Sequence, residues 1–136
     1  MKVVVYGCGV MGLKIARALL AKRSFEVVGA IDVNPKLVGK DLGELLGLQA
    51  GVGVAVDKDA AALFSRIQAD AVVHATTSHL ETVTPQVAQC LRSGLDVVST
   101  CEELSYPWDR HPRLARELDA LARECGATVV GTGINP

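Results

Sequence analysis

Little in this chain suggests that anything but its own core holds it together. Its four cysteines, Cys8, Cys90, Cys101 and Cys125, lie far apart, with no CxxC pair and no Cys/His cluster at zinc-ligand spacing. That excludes a metal ribbon and favours free thiols in a reducing compartment. A basic block is missing too: 14 Lys and Arg are interspersed with 15 acids for a net charge of -1, which removes the electrostatic footprint of a nucleic-acid binder. No apolar run approaches the ~20 residues of a membrane span. The N-terminal "MKVVVYGCGVMG" is broken by three glycines where a signal peptide would be continuous. No internal repeat, low-complexity tract or linker is visible. These absences lead us to expect a soluble cytoplasmic protein with no metal, nucleic-acid or membrane partner. Its 136 residues make one domain, large enough to bury a core without disulfides.

What the chain does have is a rhythm. Short apolar, β-branched runs recur at Val3–Tyr6, Glu26–Ile31, Val54–Val56, Ala71–Ala75, Asp96–Thr100 and Thr128–Gly131. They are near-continuous, as strands covered on both faces are. Helical patterns lie between them. One runs from about Val10 to Lys22 and another from about Lys58 to Gln68, with Asp57 as its N-cap. A third places Leu80, Val83, Val87, Cys90 and Leu91 on one face and stops at Gly94; a fourth does the same with Leu114, Leu118, Leu121 and Cys125 before Gly126. Alternating strands and helices predict an α/β fold with a doubly wound, parallel six-stranded sheet in the order 3-2-1-4-5-6, the Rossmann arrangement. Only Val33–Gly53 resists, being glycine-rich and weakly helical around Leu42–Leu46. It reads as a surface excursion before a short third strand.

Directly after the first strand comes "YGCGVMG", a G-x-G-x-x-G that opens a helix. In this motif Gly7 makes the tight turn, Gly9 lets backbone approach a pyrophosphate, and Gly12 lets helix pack on strand. The helix N-terminus adds free N–H groups and a partial positive charge. Gly7, Cys8, Gly9, Val10, Met11 and Gly12 are therefore the candidate phosphate cradle. Asp32 ends the second strand 20 residues after Gly12, where an acid accepts hydrogen bonds from an adenosine ribose. A carboxylate there repels a 2′-phosphate and favours NAD, while Lys36 and Lys40 close by leave NADP possible.

In such sheets ligands bind beyond the carboxyl ends of the strands. The fourth strand ends in "HATTSH", whose Thr76, Thr77 and Ser78 would line the nicotinamide side, although any one of them equally suits the cap of the next helix. His74, inside an apolar strand, reads as a hydrogen-bonded core histidine, and His79 as a solvated residue at a helix start. His111 precedes Pro112 and belongs to another helix start. The fifth strand runs into Glu102 and Glu103. Strand alternation turns one of the two toward the crevice, without saying which, and a carboxylate there holds a substrate ammonium or acts as a general base. Thr132, Gly133, Ile134 and Asn135 end the sixth strand at the same side.

Taken together, "YGCGVMG", "NPKLVGKDLGELLGL", "HATTSHL", "VVSTCEELSYPWDRHP" and "GTGINP" resemble the N-terminal domain of the 2,4-diaminopentanoate dehydrogenase and native amine dehydrogenase family. That domain is related in turn to the N-terminal domain of dihydrodipicolinate reductase. The resemblance implies NAD(P)-dependent, reversible oxidative deamination of a primary amine to a ketone. It implies that Gly7, Gly9, Gly12 and Asp32 bind the cofactor, that Thr76 and Thr77 lie near its nicotinamide half, and that the catalytic acid is Glu102 or Glu103. Such relatives continue into a substrate and dimerisation domain and form homodimers. Residues 1–136 are then the dinucleotide-binding domain alone, expected to bind NAD and to turn over little amine. Two rival readings stay open: another two-domain dehydrogenase, such as a dihydrodipicolinate reductase, and a stand-alone nucleotide-binding or redox-sensing module without catalysis.

Overall fold

A computed structural model describes residues 1–133. Six strands, β1 (Lys2–Tyr6), β2 (Glu26–Ile31), β3 (Val56–Asp57), β4 (Ala71–His74), β5 (Asp96–Ser99) and β6 (Val129–Gly131), form one sheet. Its order is β3-β2-β1-β4-β5-β6 with every adjacent pair parallel, as the rhythm predicts. The connecting helices are α1 (Val10–Leu20), α2 (Leu42–Leu45), α3 (Ala60–Arg66), α4 (Leu80–Arg92), α5 (Pro107–Arg110) and α6 (Pro112–Cys125), with one 3-10 turn at Glu102–Leu104. Helices α4 and α6 stop beside Gly94 and Gly126, where the sequence places their ends.

Strand alternation sorts the core into two layers. Val4, Val72 and Val97 look toward α3, α4 and α6, where they meet Leu63, Leu80, Val87 and Leu118. Val5, Val27 and Ala30 look the other way, toward Ala16 of α1, Leu42 of α2 and Leu46 just after it. The second layer covers only part of the sheet. Val73, Val98 and Val130 are aligned across β4, β5 and β6, yet Val98 is 39% and Val130 48% exposed. The expectation of strands covered on both faces therefore fails for β5 and β6, since neither α1 nor α2 reaches them.

Two local readings are corrected and a third is refined. The third strand is only Val56–Asp57, because Ala55 instead makes an antiparallel bridge to Asp41. The cap of α3 is Asp59, whose side chain accepts from the Ala62 N–H at 3.1 Å, while Asp57 ends β3 and pairs with Arg66 at 2.7 Å. The Val33–Gly53 segment is mostly exposed, as a surface excursion is, but it is anchored from within. Leu42 is fully buried, and the Asp41 carboxylate accepts from the N–H groups of Gly43, Val52 and Val54 at 2.8, 2.9 and 3.0 Å. Those three bonds hold its backbone pressed against the second core layer, and they draw the Asp41 carboxyl below its ordinary pKa.

Candidate functional site

The turn after β1 is built by contact. Gly7 has φ +104, and a Cβ there would lie 2.2 Å from the Ala75 carbonyl oxygen; a Cβ on Gly12 would lie 1.7 Å from that of Gly7. Both positions exclude any side chain. Gly9 differs, because a Cβ there meets nothing within 4 Å. It is the N-cap of α1 and supplies no side-chain cap, so the first N–H groups of the helix are left without a side-chain acceptor. That combination suits an anion at the helix start.

Asp32 is aimed by the same turn. Its Oδ2 accepts from the Cys8 N–H at 2.8 Å and its Oδ1 from the Asn34 N–H at 2.9 Å, which leaves each oxygen lone pairs for a further donor. Cys8 itself is turned inward, 1% exposed, and its thiol is pushed up to about 11, chiefly by burial. Only its backbone serves the site. Val10 stands exposed at the start of α1, and Met11 is half-buried behind it. Gly7, Gly9, Asp32 and Thr76 line one cleft of about 270 Å³ together with Gln86, a residue the sequence reading did not single out. Larger hollows of about 650 and 470 Å³ lie at the opposite strand ends and beside α6, away from the switch point where such sheets bind ligands.

At the end of β4 the expectation for His74 holds: it is fully buried, with Nδ1 2.9 Å from Ser99 Oγ and Nε2 2.7 Å from Gln86 Oε1. Burial holds the imidazole below its ordinary pKa. Thr76 donates to Gln86 Oε1 at 2.8 Å and faces the cleft, whereas Thr77 and Ser78 are not among its lining residues. No threonine or serine caps α4. His79 is the N-cap, without a side-chain bond.

That capping role falls to Glu103. Its Oε1 accepts from the Leu80 N–H at 2.9 Å and its Oε2 lies 2.9 Å from His111 Nε2, with His79 at 3.5 Å and Arg110 at 4.0 Å. These bonds, His111 first, draw the Glu103 carboxyl below its ordinary pKa. Glu102 is exposed, and its carboxylate has no hydrogen-bond partner among the described residues. Strand alternation does not separate the two neighbours, because β5 ends at Ser99 and both lie in the 3-10 turn; their partners do, leaving one saturated and one free. Thr132 is tied through Oγ1 to the Ser99 carbonyl at 3.2 Å, Gly133 follows it, and Ile134 and Asn135 lie outside the described residues. No group of His, Cys, Asp and Glu among the described residues has metal-binding geometry. No described helix is long and apolar enough to cross a membrane.

Residues 1–102 match the family described as dihydrodipicolinate reductase, N-terminus. The chain is 33% identical to the 2,4-diaminopentanoate dehydrogenase of Acetoanaerobium sticklandii over 99% of its own length and 38% of that protein's. It superposes on the amine dehydrogenase from Mycobacterium smegmatis with a TM-score of 0.94 and 44% identity, covering 98% of this chain and 39% of that one. GenD2 from gentamicin A biosynthesis, in complex with NAD, gives a TM-score of 0.72 at 25% identity over 96% of this chain and 34% of that one. The chain thus spans less than two fifths of the 2,4-diaminopentanoate dehydrogenase it matches.

Proposed function

This chain belongs to the family of the dihydrodipicolinate reductase N-terminus, and from that premise we propose that it is the dinucleotide-binding half of an NAD(P)-dependent amine dehydrogenase. The reaction is the reversible oxidative deamination of a primary amine resembling 2,4-diaminopentanoate to a ketone, with ammonia as the other product. One observation carries the proposal: an uncapped helix start with an open Gly9 stands beside an acid, Asp32, that the same turn holds in place. Identity of 44% to an amine dehydrogenase over nearly the whole chain supports the choice of substrate class.

Gly7, Gly9 and Gly12 with the first turn of α1 hold the pyrophosphate, Asp32 holds the adenosine ribose, and Thr76 faces the nicotinamide half. NAD(P), when bound, accepts a hydride from the carbon bearing the amine and returns it in the reverse direction. Of the two acids, Glu102 is the one with a carboxylate free to pair with a substrate ammonium or to take a proton from the water that releases ammonia. Glu103 serves by holding the start of α4 and His111. Asp32 favours NAD over NADP. The remaining substrate contacts and homodimerisation belong to a further domain of a longer protein, for which the open valine face of β4 to β6 is a ready seat. Four free, widely spaced cysteines support a reducing, cytoplasmic location.

Calorimetry with NAD and NADP tests the first half: no binding of either at millimolar concentration sinks the proposal. Turnover of diamines with NAD, set against dihydrodipicolinate with NADPH, separates it from the second reading that the family match favours, a dihydrodipicolinate reductase. Normal turnover by the Glu102→Gln variant would remove Glu102 from catalysis.

A further inference from the structure

Gln86 lines the cleft from α4, and its Oε1 is held on two sides, by His74 Nε2 at 2.7 Å and by the Thr76 hydroxyl at 2.8 Å. What decides the orientation of that amide lies well behind the cleft. The Cys101 N–H can only donate, and it does so to Ser99 Oγ at 3.1 Å. Ser99 is fully buried, and among the described residues the only acceptor its own proton reaches is His74 Nδ1, at 2.9 Å. The proton of the neutral imidazole is then on Nε2, from which it donates to Gln86 Oε1. A flipped amide would set its NH2 against that N–H, donor against donor. The chain of bonds from Cys101 to Gln86 therefore permits one direction, with the Gln86 NH2 turned away from His74 and lacking any protein partner among the described residues.

The cleft crosses three neighbouring strands, from Asp32 after β2, past the glycine turn after β1, to Thr76 and Gln86 beyond β4. With the adenosine ribose at Asp32 and the pyrophosphate at the turn, the remaining end receives the nicotinamide half. We propose that Gln86 binds the cofactor, its NH2 donating to an oxygen of NAD(P) on the nicotinamide side of the pyrophosphate, and that His74 and Ser99 are the positioning pair that aims it. This rests on the dinucleotide reading of the cleft.

Calorimetry on the full-length protein with two probes, NADH and AMP, separates the possibilities. Gln86→Glu keeps the size but loses both donors, and Gln86→Leu loses all polarity. Both are expected to bind NADH about 10-fold more weakly while holding AMP unchanged, which also shows that they are folded. Nitrogen NMR of His74 is expected to show the Nε2-protonated tautomer in the unaltered protein. In Ser99→Ala the tautomers should mix and NADH affinity should fall. Unchanged NADH affinity in both Gln86 variants, an equal loss for AMP, or an Nδ1-protonated His74 would each overturn the assignment. If the unaltered protein binds neither probe, the dinucleotide reading itself fails and takes this one with it. If Asp32→Ala weakens both probes while the Gln86 variants bind normally, that reading stands and only the role of Gln86 is lost.

Discussion

Gly9 and Gly12 are three residues apart and answer to different neighbours. A methyl group on Gly12 would have to share space with the Gly7 carbonyl oxygen, 1.7 Å away, and neither backbone can yield. Gly12→Ala is therefore expected to cost about 3 kcal/mol, read as a fall of roughly 10 °C in the unfolding midpoint. A methyl group on Gly9 enters empty space, and its φ of -77° suits any residue. Gly9→Ala should stay within about 1 kcal/mol of the unaltered protein and yet, on the proposed reading of the turn as the pyrophosphate cradle, bind NAD at least about 10-fold more weakly. A second contrast separates Glu102 from Glu103. The folded state holds Glu103 below its ordinary pKa of 4.5, so its contribution to stability is complete above that pH and is lost as pH falls through the lower, folded value. Thermal unfolding from pH 7 to pH 3 should show Glu103→Gln less stable than the unaltered protein near neutrality, with the gap closing in acid. A gap that is constant with pH would sink this role. The glycine pattern and the two acids were legible in sequence because spacing carries them. Which acid is committed was not, since its partners Leu80 and His111 lie 23 and 8 residues away.

At the scale of the element, long and periodic segments were readable and short ones were not. Helix α4 shows five apolar positions on one face and a glycine stop, so pattern alone finds it. Helix α2 has four residues, barely one turn and too short to show a repeating pattern, and what holds it is Asp41 reaching N–H groups 11 and 13 residues ahead. No local window contains that information. Asp41→Ala should raise amide hydrogen exchange at Gly43, Val52 and Val54 by about 10-fold or more while leaving Val4 and Val5 protected. Equal protection in both proteins would show that the segment is held by Leu42 and Leu46 alone. The N-cap of α3 moved from Asp57 to Asp59 for a related reason. Both are acids at the right distance from an apolar run, and only the end of β3 decides which is free to cap.

The strand order of the whole molecule was legible because apolar runs separated by helices leave little choice of topology. Its open face was not, because a valine run reads alike whether this chain or another covers it. Val98 and Val130 keep 39% and 48% of their surface in water, so changing both to threonine should move the unfolding midpoint of the 136-residue chain by no more than about 2 °C. A larger fall would mean that the chain itself buries this face in solution.

The Cys8 N–H, lent to Asp32 by the glycine turn, has a consequence for inheritance. On the proposed reading of Asp32 as the ribose acid, cofactor choice and the geometry of the turn share one hydrogen bond, so a lineage that trades the acid for a residue welcoming a 2′-phosphate also strips the turn of its anchor. Drift toward NADP along this path needs a companion change that gives the stranded N–H a new acceptor, and single-step variants should pass through a protein that grips either dinucleotide poorly.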